Sequence, residues 1–262
     1  MGNVRKRLKL FEKIVKNNLS PSAKKIIGAI ILLIIAGIFA IYVFVIRGVG
    51  IKYALNEDGN SYSVVGMGIN FKSDIVIPES YKDLPVTAIG DTAFSGGIGK
   101  GIKSIEIPDT VTSIGWGAFI DCKNLERITI PDGVTEIGEQ TFAHCKSLKE
   151  VDLGSGVKTL GAAAFMNCAS LQTVIMPEGL TRIEKEAFFF CQSLETVELP
   201  ASLTFIGEDA FYECSSLAKV CFDSPKYWRA GVKYVSESEL GNEIRAAELL
   251  TGEYCDVDWK KG

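Results

Sequence analysis

The residues of this chain with the most obvious chemistry are one histidine and seven cysteines. No serine, cysteine or aspartate sits in a recognisable nucleophile context beside His144, and the glycines do not form a strand-to-helix phosphate loop. A hydrolase needs a nucleophile within reach of a base, so no catalytic residue is expected. Cys122, Cys145, Cys168, Cys191 and Cys214 recur every 23 residues, which stacks them in one column if the chain winds into equivalent turns. Neighbours in such a stack stand ~4.8 Å apart at both Cα and Cβ, whereas a disulfide needs Cβ atoms about 3.5–4.5 Å apart. The column is therefore expected to be reduced thiols packed as small apolar groups. Cys221 and Cys255 fall outside it, and a bridge between those two stays open. With no Cys-x-x-Cys and a single histidine, neither a metal nor another cofactor is expected.

The elements that would carry these residues follow from the same period. Phe94, Phe119, Phe142, Phe165, Phe188 and Phe211 are spaced by 25 residues once and then by 23. Leu125, Leu148, Leu171, Leu194 and Leu217 keep that spacing, as do Pro108, Pro131, Pro177 and Pro200, with Gly154 in the missing place. One unit, LERITIPDGVTEIGEQTFAHCKS, runs from Leu125 to Ser147. Its Ile128-Thr129-Ile130 alternation has the period of a half-buried strand, and Pro131 ends the pairing. Val134, Ile137 and Phe142 then turn inward. A single unit cannot bury its apolar side, but units stacked in a parallel ladder can.

The segments IPDTVTSIGWGAFIDCKNL (Ile107 to Leu125) and IVIPESYKDLPVTAIGDTAF (Ile75 to Phe94) resemble the BspA-type, or Treponema-type, leucine-rich repeat. The resemblance runs over roughly residues 51–262. It implies a leucine-rich-repeat solenoid of 23-residue repeats: a parallel β-ladder with short turns and irregular or 3-10 segments, capped at both ends. It also implies a bacterial surface or secreted protein, with adhesion as a recurring role. The expected organisation is a basic segment (1–25), an apolar anchor (26–46), a capping hairpin turning at Asp58-Gly59 (47–74), repeats (75–223) and a C-terminal cap (224–262).

In a solenoid of this kind the outward strand positions are the candidate contact surface. They include Ser104 and Glu106, Arg127 and Thr129, Glu150 and Asp152, Thr173 and Ile175, Thr196 and Glu198. The row also reads as an ordinary solvated sheet face. Trp116 stands where other units carry polar or small residues, and Phe190 adds apolar surface beside Phe189 and Tyr212. Exposed aromatics of this sort mark protein contacts.

Charge divides the chain. Residues 1–25 hold eight basic residues and one acid, a net +7, so the remaining 237 carry −11 of the overall −4. Nucleic acid is a poor partner for that acidic body. The run from Ile26 to Ile46 has 21 residues and no charge. As a helix it spans about 31 Å, the thickness of a bilayer core. It is longer than a signal-peptide core and lacks a small-residue cleavage site at Ala40-Ile41-Tyr42. An uncleaved single-pass anchor is expected, with the basic head cytoplasmic and the repeats outside the cell. Two functions fit: an adhesin-like surface protein binding a protein or glycan, and an envelope assembly factor holding a neighbouring membrane or wall protein.

Overall fold

A computed structural model describes residues 50–68, 73–96 and 101–262. The basic segment and the proposed anchor, Ile26 to Ile46, lie outside the described residues. Among the described residues no helix is long and apolar enough to cross a membrane.

Residues 50–262 form one compact unit, a leucine-rich-repeat β-solenoid of about seven turns. Each turn has three sides. The front side is a three- or four-residue strand whose middle residue points inward. Asp74–Val76, Ser104–Glu106, Arg127–Thr129, Glu150–Asp152 and Thr173–Ile175 form one parallel ladder. Thr196–Leu199 and Lys219–Phe222 form a separate parallel pair.

The back side is a second set of parallel strands, where the sequence predicts only short turns and irregular or 3-10 segments. Leu84–Ile89 pairs with Ser113–Ile114. Glu136–Ile137, Thr159–Leu160, Arg182–Ile183 and Phe205–Ile206 form a separate parallel run further along the same side. Each of these short strands buries its isoleucine or leucine and leaves the preceding residue at the surface.

The third side carries the phenylalanines. It is not regular strand, yet its backbone bonds the next turn at each step: Phe119 N donates to Thr141 O, Phe142 N to Ala164 O and Phe165 N to Ala187 O, at 2.8–2.9 Å. Two left-handed residues flank each phenylalanine. Gly117 and Asp121 flank Phe119, Gln140 and His144 flank Phe142, and Ala163 and Asn167 flank Phe165, with φ between 54° and 64°. These corners cost conformational energy at non-glycine residues. They turn the chain sharply enough to aim every phenylalanine into the core.

The rings of Phe94, Phe119, Phe142, Phe165, Phe188 and Phe211 stack with centroids 5.1–5.4 Å apart and planes within 12° of parallel, within the favoured range for offset stacking. The cysteine column runs alongside, fully buried and free. Each thiol donates to the carbonyl of the phenylalanine one turn back, as Cys168 Sγ does to Phe142 O at 3.1 Å and Cys191 Sγ to Phe165 O at 3.2 Å.

At the first turn, Ile51–Leu55 and Tyr62–Met67 form an antiparallel hairpin closed by Gly59 at φ 68°. The second of these strands pairs in parallel with Leu84–Ile89. At the last turn the direction reverses. Trp259–Lys261 lies antiparallel to Phe205–Ile206 and to Trp228–Ala230, with Trp228 and Trp259 almost wholly buried. Two short helices, α1 (Glu237–Leu240) and α2 (Glu243–Glu248), are N-capped by Ser236 and Asn242. Cys221 and Cys255 are both free.

Both ladders are interrupted. Ser104–Glu106 meets Arg127–Thr129 through one register pair only, Ser104 with Arg127. At the same turn-to-turn step Ser113–Ile114 and Glu136–Ile137 do not pair at all. Thr141 lies in that second turn, at a position that other turns fill with Ala93, Ala118, Ala164, Ala187 and Ala210. It is fully buried, and its hydroxyl donates to Gly138 O. A Cβ added at Gly138 would stay 3.5 Å or more from its surroundings, whereas at Gly115, Gly161 and Gly207 it would come within 3 Å of the turn before. The back strands are thus more widely separated beside the larger side chain. The second interruption is on the front side, between Thr173–Ile175 and Thr196–Leu199.

Candidate interaction surface

The front ladder displays the candidate residues in two columns fixed by strand register. Arg127, Glu150, Thr173 and Thr196 are exposed in one; Glu106, Thr129, Ile175 and Glu198 are exposed in the other, with Asp152 half-buried among them. Alternation supplies this arrangement, because the residues between them, Ile128, Val151 and Val197, face the core.

The interruptions divide the surface into two clefts of about 480 Å³ each. The first collects Glu106, Arg127 and Thr129 around Ile105, Ile128 and Pro131. Beside it Ser104 Oγ donates to Asp74 at 2.6 Å, and this bond with that from Ser73 holds the Asp74 carboxyl below its ordinary pKa. The second cleft collects Thr173, Ile175, Thr196 and Glu198, and adds Gln172, Val174, Met176 and Glu195. Glu150 and Asp152 lie on the strand before Thr173–Ile175.

Sequence reasoning missed these four added residues. The one signal for them was Met176, standing where other turns have Ile107, Ile130, Leu153 and Leu199. Those four are buried, whereas Met176 and Val174 are only partly so.

Trp116 and Phe190 do not join the front surface. Trp116, 44% exposed, follows the back strand Ser113–Ile114, and its backbone N–H donates to Asp91. Phe190 is a half-buried left-handed corner residue at φ 60°, packed on Phe189 at 4.8 Å. Phe189 in turn stacks on Tyr212.

The groups with intrinsic reactivity are poorly placed for it. Burial pushes the thiols of the column up, Cys214 to about 12, and a thiol held protonated is neither nucleophile nor ligand. His144 is half-buried, and its Nδ1 lies 3.0 Å from the Asn167 amide. Among the described residues no cluster of three or more histidine, cysteine or carboxylate side chains is arranged to hold a metal.

Two solved structures resemble the chain over most of the solenoid. The leucine-rich-repeat protein of T. pallidum is 26% identical with a TM-score of 0.57, over 64% of this chain and 87% of that one. A leucine-rich cell surface protein of Faecalibacterium prausnitzii is 31% identical with a TM-score of 0.51, over 70% of this chain and 55% of that one. This chain therefore spans about half of the latter. No curated protein matches. The family model of the BspA type leucine-rich-repeat region matches residues 74–222 in six copies, more than half of the sequence, and the chain belongs to that family.

Proposed function

We propose that this chain is a membrane-anchored cell-surface protein that binds a protein or glycan partner through the front face of its solenoid, in the manner of an adhesin. The observation that carries this reading is the front ladder: two columns of exposed side chains on a rigid scaffold, interrupted by clefts with apolar floors. A scaffold without a poised nucleophile or metal cluster among its described residues is suited to contact, not catalysis. The cell-surface designation of the Faecalibacterium relative supports the location. The uncharged run from Ile26 to Ile46 supports the anchor. The hairpin at the first turn and the reversed strands at the last act as caps, since each pairs a ladder strand with chain running the other way or already paired.

A second reading is favoured by one feature. Only four residues, 47–50, lie between Ile46 and Ile51, and so short a tether suits an envelope assembly factor better than reach to another cell. Proximity labelling from the C-terminus in intact cells separates the two. Labelled host or matrix components support adhesion, and labelled envelope subunits support assembly. An absence of labelled partners in both classes overturns the interaction role.

A further inference from the structure

The second front cleft has features that the rest of the ladder lacks. Thr173–Ile175 and Thr196–Leu199 lie on consecutive turns, in positions that pair at other steps of the stack, yet no backbone hydrogen bond joins them. At the preceding step Thr173 N donates to Lys149 O and Leu153 N to Ile175 O. The corresponding bonds from Thr196 N to Gln172 O and from Met176 N to Glu198 O are not made. The core is also less covered here: the inward Val174 and Met176 are half-buried where the equivalent Ile128, Ile130, Val151, Leu153, Val197 and Leu199 are buried, and the outward Ile175 adds apolar surface at 49% exposure. Glu195 and Glu198 line the same opening, and Glu150 and Asp152 precede it. None of these four carboxylates has an ion-pair partner among the described residues. The cations nearest in register are Lys219, the partner of Thr196, and Lys149, whose carbonyl accepts from Gln172 N and Thr173 N and whose ammonium pairs with Glu126.

An apolar floor under a carboxylate rim is complementary to a long basic side chain, whose methylenes cover apolar surface while its charged head stays at the polar edge. Open backbone carbonyls add acceptors at the same edge. We infer that this cleft seats a lysine or arginine presented by an extended segment of a protein partner. Its stem lies over Val174 and Met176, and its cation lies among Glu195, Glu198 and the unpaired carbonyls. The inference rests on the interaction reading above and names the partner's chemistry.

The test uses the full chain in non-ionic detergent and a labelled decapeptide of alternating lysine and valine. Glutamine–valine and glutamate–valine decapeptides serve as comparisons, and anisotropy is the readout. The lysine peptide should bind at least tenfold more tightly than the glutamine peptide, and the glutamate peptide least. Ile175→Lys, which fills the cleft from an exposed position, should abolish binding. Glu195→Gln with Glu198→Gln should weaken it at least tenfold, while Glu136→Gln with Glu139→Gln, away from the cleft, should leave it unchanged. Equal loss from both glutamine pairs, unchanged binding in Ile175→Lys, or no binding by the lysine peptide overturns the proposal. So does self-association that protects residues 174–176, which would make a second copy the occupant. The proximity-labelling outcome is independent of these results, so the cleft can fail while the interaction role stands.

Discussion

Each interior ring of the phenylalanine column touches like rings above and below, so a single truncation there opens a void that neither neighbour can fill. Phe165 is fully buried between Phe142 and Phe188. Phe165→Ala should cost about 3–5 kcal/mol, whereas Trp116→Ala, at a ring 44% exposed, should stay within about 0.5 kcal/mol. Thermal melts that rank the two in the opposite order would show that inside and outside are misassigned. The cysteines make a second prediction. Burial raises their folded-state pKa, for Cys214 to about 12, above the ordinary value of about 8.5 in the unfolded chain. Below that unfolded value the proton is held in both states and the thiols' contribution is fully present. As pH climbs through 9 toward 12, only the unfolded chain ionises and stability falls. Denaturant midpoints measured from pH 7 to 11 should drop over that window, and Cys168→Ala with Cys191→Ala should flatten the slope. An unchanged slope would mean that the thiols are not shielded.

Strand pairing depends on side chains one turn away. Thr141→Ala should let Ser113–Ile114 and Glu136–Ile137 approach and pair as the later back strands do. Amide exchange at Thr135 and Gly138 should slow in the variant, while exchange at Lys158, already bonded to Thr135 O, should hardly change. If Gly138 exchanges at the wild-type rate, the threonine is not the wedge. The elements differ in how legible they were. Columns of phenylalanine, cysteine and leucine were readable because one residue type repeats at one spacing. The front strands were readable from their alternation. The back strands were not, since two residues with one facing inward are too short to display a period. The left-handed corners were hidden more deeply. Asp121, His144, Asn167, Phe190 and Glu213 share a backbone conformation but no common side-chain chemistry, and glycine, the usual signal, stands at the equivalent corner only in the first turn, as Gly96. The clefts arise from pairings that fail, which no single turn's sequence records.

At the scale of the whole molecule, the charge division makes a topological prediction. Protease added to intact, wall-stripped cells should digest the repeats and leave a protected fragment of about residues 1–46, the span that the bilayer argument assigns to the cytoplasm and membrane. A soluble domain starting near Ala40, or a protected C-terminus, would defeat the anchor. Of the two interrupted steps in the stack, the first is the more weakly bonded. Between the turn of Ser104–Glu106 and that of Arg127–Thr129, the front ladder is down to a single register pair and the back ladder to none, so the Phe119 side carries most of the backbone bonding. A chain fixed at one end and pulled through a bound partner would concentrate its load there. The solenoid should tear first along that seam, adding length between its first turns and the point of pull while the later turns stay folded.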